Sequence, residues 1–217
     1  SALHEVNNDA GGIAWGTSYL MMAFHGMFEA TGDVKYLEAN YATILAVLAA
    51  TDTRRGKTLS DGRTVAAWGC EAYSNAGRAV HAVHTGIIAA PIFDFLRLAR
   101  THAAYHAKLG SEFDAIAQAG LAALAVHEDL WREGREPSAG HYLASPFEDG
   151  DGVRALPGNW QSAMGWAWYR AGQALQAPVH RDRAVHLGQY IRNRLCLGSD
   201  GAYYWPYQLP EAAVTIP

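Results

Sequence analysis

Five residue types able to handle protons or an anionic ligand recur in the polar, glycine-bearing stretches of this chain. Tyr142 ends the segment Pro137-Ser138-Ala139-Gly140-His141-Tyr142, with Arg135 close by. A phenol in such a loop can give and take a proton once its pKa is tuned by its surroundings. His84 opens an apolar helical run. There the helix dipole would lower an imidazole pKa and favour the neutral base. His81, three residues earlier, is the rival imidazole. Glu71 stands among aromatic and small residues in Trp68-Gly69-Cys70-Glu71-Ala72-Tyr73-Ser74-Asn75. Burial there would raise its pKa and let it share a proton with a carboxylate ligand, while a salt bridge to Arg78 is an equal alternative. Asn159 follows Pro157-Gly158, where its amide would meet an anion, cap a helix, or do both. Together these groups suit proton transfer beside a carboxylate, with Arg135 and Arg78 as the cations.

Other chemistries lack their residues. His81 and His84 are spaced to share a metal, but no carboxylate accompanies them, so no metal site is expected. His102 with His106, and His127-Glu128-Asp129, do not form H-E-x-x-H, and both read as surface. Glu148-Asp149-Gly150-Asp151-Gly152 lacks the later ligands of a calcium loop and reads as a solvated turn. The nucleotide, phosphate and serine-hydrolase signatures are absent, and no cofactor is implied. Trp15, Trp68, Trp160, Trp166 and Tyr204 are able to present flat faces to a sugar, although most are expected to fill the core.

The elements that must position these groups are helices. Residues 13–31 are apolar around most of the circumference, and residues 34–50 carry one apolar stripe with Lys35, Glu38 and Asn40 off it. The alternation recurs in residues 86–106 with 111–132, and in 159–174 with 182–195. The pattern predicts three helical hairpins, turning near Gly32, Lys108 and Pro178. Long segments rich in Gly, Pro and aromatic residues lie between them, over residues 51–84, 134–158 and from 198 onward. Loops of that length usually carry function. No β-rich domain is expected.

Composition sets the outer limits. In 217 residues, 17 Lys and Arg face 21 Asp and Glu, for a formal charge of -4. That balance offers no basic excess for a phosphate backbone, so nucleic acid is not an expected partner. Half the residues are hydrophobic and 18% are charged, which suits a globular core and excludes disorder. Polar residues interrupt every apolar run, so no membrane span is expected. Cys70 and Cys196 form no C-x-x-C motif and leave one disulfide open. The first residues lack the pattern of a signal peptide, though a processed or truncated chain would have lost one.

Alternating inner and outer helices with long loops describe an α/α toroid, an all-α fold. Trp15-Gly16-Thr17-Ser18-Tyr19 followed by Glu29-Ala30-Thr31-Gly32-Asp33 resembles the first hairpin of toroid polysaccharide-active enzymes. His84-Thr85-Gly86-Ile87-Ile88 is similar to their H-T-G-M-I segment. Pro157-Gly158-Asn159-Trp160-Gln161 with Ala163-Met164-Gly165 is similar to a helix start of theirs, and Tyr203-Tyr204-Trp205-Pro206-Tyr207 to their aromatic closing segment. The glucuronan and alginate lyases are the family most resembled. The resemblance implies a secreted or periplasmic lyase that splits a uronic-acid polysaccharide or oligosaccharide by β-elimination. Tyr142 and His84 would transfer protons, with His81 as rival base, and Glu71, Arg135, Arg78 and Asn159 would surround the carboxylate. Trp15, Trp68 and Tyr204 would stack on sugars. A glycoside hydrolase using Glu71 with Asp149 or Asp151, a uronate epimerase, and a non-catalytic glycan-binding repeat are the alternatives. Three hairpins make about half a ring at roughly 70 residues each. Residues 1–217 are therefore expected to be one partial toroid domain, either a fragment or an open arc that needs a partner to bury its exposed helix faces, a homo-oligomer being one such arrangement.

Overall fold

The computed structural model describes residues 6–74, 77–145 and 154–209. Helices dominate it. A π-helical turn over Ile13–Thr17 leads into α1 (Ser18–Thr31), and α2 (Lys35–Ala49) returns along it. Asp33 Oδ1 accepts the Lys35 amide at 3.0 Å to open α2, and the buried Asn40 amide donates to the Met21 carbonyl at 3.2 Å to lock the pair. After the single turn α3 (Asp52–Arg55), the chain makes a long excursion before α4 (Ala82–Thr101). His102 breaks that helix, and its ring Nδ1 accepts the Tyr105 amide at 3.2 Å to cap the short α5 (Ala103–Leu109). The return helix is α6 (Ser111–Ala125), and the last pair is α7 (Gly158–Leu175) with α8 (Pro178–Arg192).

The three expected hairpins are present as α1 with α2, α4 with α6, and α7 with α8. α4 packs on both α1 and α7, most extensively on α7, so the three apolar helices form a row. In α4, 16 of 20 residues are buried, which is why its sequence has no polar stripe. By length and composition α4 is the one described helix able to cross a membrane, contrary to the sequence expectation. Its burial between helices on both sides is how a core helix passes the same test.

Gly86 explains the closeness of α4 and α7. A Cβ there would lie 2.5 Å from the Ala163 carbonyl carbon and 2.7 Å from the Met164 nitrogen. The H-T-G segment therefore lies directly on the A-M-G segment, backbone against backbone.

Helix ends depart from expectation by several residues. α4 and α8 begin four residues early, because extended His81 and Ala177 mark their starts and Pro178 is preset for a first helical position. α6 stops at Ala125, well short of 132. Its continuation is a 3₁₀ turn and a strand, β1 (Trp131–Glu133), paired antiparallel with β2 (Gly140–Tyr142). A second small ribbon pairs β3 (Cys196–Leu197) with β4 (Tyr203–Tyr204). Cys70 is buried, and both it and Cys196 are free thiols.

Candidate functional site

The candidate site forms where the N-terminal segment, the 51–81 excursion and the starts of α4 and α7 meet. An ion cluster ties the first two together. Arg55 holds Asp9 through two bonds of 2.6 and 2.7 Å. Arg78 reaches Asp9 at 2.7 Å and grips the fully buried Asp52 at 2.5 and 3.0 Å. The hydrogen bond from Arg55, reinforced by Arg78, keeps the Asp9 carboxyl well below the usual carboxylate range. Burial works against the Arg78 charge, but Asp52 and Asp9 more than offset it and raise its pKa. Glu71 adds its amide to the Asp9 carbonyl at 2.9 Å.

This frame carries Asn8 and fixes how it points. Asn8 Oδ1 accepts the Ala14 amide at 3.1 Å, and Nδ2 donates to the Trp68 carbonyl at 3.1 Å. Nδ2 also meets His84 Nδ1 at 3.3 Å. With Asn8 oriented from both sides, His84 Nδ1 is the acceptor, and the neutral ring carries its proton on Nε2.

Around His84 the rings meet edge to face. Its centroid lies 5.1 Å from His81, 5.4 Å from Tyr73 and 5.4 Å from Trp15, and His81 lies 6.0 Å from Trp160. Both imidazoles are buried, while Tyr73 is 52% and Trp15 41% exposed. Gly11, with φ of 79°, threads between those last two rings. A Cβ there would stand 2.9 Å from each. The arrangement is a buried pair of imidazoles beneath an exposed phenol and an exposed indole. No third metal-type ligand joins the two histidines among the described residues.

Several expected residues lie elsewhere or in other roles. Tyr142 is fully buried, not in an open loop. Its hydroxyl accepts from Trp168 Nε1 at 2.8 Å, its backbone is held by Gln161, and burial pushes its pKa above the usual tyrosine range. Strand alternation turns it inward, a direction that glycine-rich composition hides. Glu71 is not desolvated: its side chain is 57% exposed and pairs with Arg78 at 3.2 Å, the alternative reading. Arg78 itself is buried and spent on three carboxylates, so it does not face a ligand. Trp68 is core, donating from Nε1 to the Val47 carbonyl at 2.7 Å. Asn159 is exposed but is not the cap, because α7 starts at Gly158 after Pro157. Arg135 is exposed in the β1–β2 turn, and Tyr204 is exposed on β4. Neither joins the ring cluster. His127 is buried rather than on the surface, with Nε2 2.9 Å from the Thr85 hydroxyl. Asp149 and Asp151 lie outside the described residues, as does Asn75.

Asn8 and Tyr73 complete the cluster without having been singled out, while Trp160 joins it from the rings named as able to face a sugar. Tyr73 was visible in the segment around Glu71, but nothing in its spacing distinguishes it from a packing tyrosine. No family model, curated protein or solved structure matches this chain.

Proposed function

We propose that this chain acts on a uronic-acid polysaccharide by β-elimination, and that its three hairpins form a partial α/α toroid. The observation that carries the reading is the exposed Tyr73 phenol set edge-on over the buried His84 and His81 rings, across Gly11 from Trp15. In the reaction the C5 proton passes to a base, its C–H electron pair forms the C4–C5 double bond, and the departing O4 takes up a proton. Tyr73 replaces Tyr142 as the group that handles these protons, since a phenol serves in both directions. His84, held at Nδ1 by Asn8, packs beneath Tyr73 and orients its ring. Trp15 gives the exposed ring against which a pyranose would lie. The order of the W-G-x-S-Y, H-T-G and A-M-G segments supports the family reading, and the direct contact of the latter two gives that order a physical basis.

The test is ultraviolet absorbance from the unsaturated product while the purified chain is incubated with glucuronan, alginate and glycosaminoglycans in turn. A rise that Tyr73→Phe abolishes is the expected result. New reducing ends without absorbance would indicate hydrolysis instead. Neither signal on any polymer, from a chain shown folded by circular dichroism, would reject the catalytic reading and leave glycan binding.

A further inference from the structure

A second aromatic feature lies beyond the ring cluster. The segment after β4 runs Trp205-Pro206-Tyr207 past the start of α7 and encloses a cleft of about 440 Å³ with Asn159, Ser162 and Ile191. Every side chain on its walls is uncharged. Trp205 is 54% and Tyr207 63% exposed, yet neither ring hangs from a loose tether. Trp205 Nε1 donates to the Ile191 carbonyl at 2.9 Å, and the Tyr207 carbonyl accepts the Gly158 amide at 3.2 Å. The Trp205 ring is therefore oriented before any ligand arrives, which reduces the entropy lost on binding, and the backbone of Tyr207 is anchored beside it.

We propose that this cleft is a subsite for a pyranose unit of a polysaccharide, bound by its apolar face. A pyranose presents C–H groups on its flat faces and hydroxyls at its edge. Trp205 and Tyr207 match the faces. The Asn159 amide offers both donors and an acceptor to the edge. Ser162, whose hydroxyl hydrogen is donated to the Gly158 carbonyl at 2.8 Å, presents acceptor lone pairs. The volume falls within the range of small-ligand sites, roughly 300–1,000 Å³. Tyr207 also lines a smaller cleft with Trp160 and Arg154, and Trp160 touches His81 at 6.0 Å between centroids. The two clefts thus share Tyr207, and the second reaches Trp160 at the edge of the ring cluster. The inference takes polysaccharide as its ligand class from the function proposed above, and adds recognition that needs no carboxylate.

Isothermal titration of the full chain with cellohexaose, a neutral probe, and with a glucuronan hexasaccharide tests it. Both are expected to bind. Tyr207→Ala and Trp205→Ala should each weaken both by about tenfold, whereas Tyr203→Ala, on an exposed ring outside the cleft, should bind as wild type. Tyr207→Ala guards against misfolding of the Trp205 variant, because it removes no side-chain hydrogen bond seen among the described residues. Wild-type affinity in both folded variants, no binding of either probe, or binding of the charged probe alone overturns the assignment. Tyr207-dependent binding without any C4–C5 double bond keeps the subsite and removes the lyase reading. Elimination with Tyr207-independent binding does the reverse.

Discussion

Adding one methyl group at Gly86 tests the packing on which the candidate site depends. A Cβ at that position would meet the Ala163 carbonyl carbon at 2.5 Å, its oxygen at 2.6 Å and the Met164 nitrogen at 2.7 Å. Carbon contacts are comfortable at about 3.5–4.0 Å, so α4 and α7 would have to part by about 1 Å. All three obstacles are backbone atoms inside a helix, so no side-chain rotation relieves them. Overpacking of this kind costs about 1–3 kcal/mol, and the unyielding backbone places Gly86→Ala at the upper end. Alanine returns about 1 kcal/mol of helix propensity over glycine, leaving a net loss of about 2 kcal/mol. With a urea m-value of about 2 kcal/mol/M, the midpoint by far-ultraviolet circular dichroism should fall by about 1 M. Gly188 on α8 supplies the counterpart, since a Cβ there meets nothing within 4 Å. Gly188→Ala should therefore gain up to about 1 kcal/mol. Because α4 carries His84 and α7 carries Trp160, parting the helices should also weaken any activity of the ring cluster. A Gly86→Ala protein as stable as wild type would refute the close α4–α7 contact.

Other substitutions separate structural from chemical roles. Tyr73→Phe should lower elimination by about 100-fold or more, the scale of a lost general acid or base, at unchanged thermal midpoint. Tyr142→Phe should do the opposite, keeping elimination while losing about 1 kcal/mol with the Trp168 hydrogen bond; loss of activity in a folded Tyr142→Phe chain would return that residue to the mechanism. Arg78→Ala strands the buried Asp52 carboxylate and should cost about 3–5 kcal/mol in urea titrations. His25, beside Asp94 and with Arg97, Glu29 and Arg170 around it, is lowered by burial from 6.5 to about 4. The unfolded chain then binds more protons between those values, so stability is full above about pH 6.5 and declines toward pH 4, by up to about 3 kcal/mol. His141 is lowered to about 4 by burial as well, so His25→Gln should remove part of that slope and leave the rest. A slope unchanged by the substitution would remove His25 from the account.

What could be read from the sequence follows from the range of the interactions. Three hairpins were legible because each apolar or amphipathic face repeats over many residues, and such periodicity survives uncertainty about any single position. Their ends were not, because His81, His102 and Ala177 set them through backbone conformation and local bonds that leave no periodic trace. The histidine pair was legible as a feature of spacing, but the chemistry of His84 was not. Its proton position depends on Asn8, 76 residues away in the chain, which two backbone groups hold in one orientation. Tyr142 and Tyr73 fail in opposite directions for one reason. Tyr142 stands beside glycine and polar residues that suggest an open loop, whereas Tyr73 stands among aromatic and small residues that suggest burial. A two-stranded ribbon and Gln161 turn Tyr142 into the core, whereas Gly11 and the Asp9–Arg78 cluster leave Tyr73 at the surface over the imidazoles. Which tyrosine faces solvent is decided by long-range partners, and the same partners bring together the groups on which any chemistry at this site must rest.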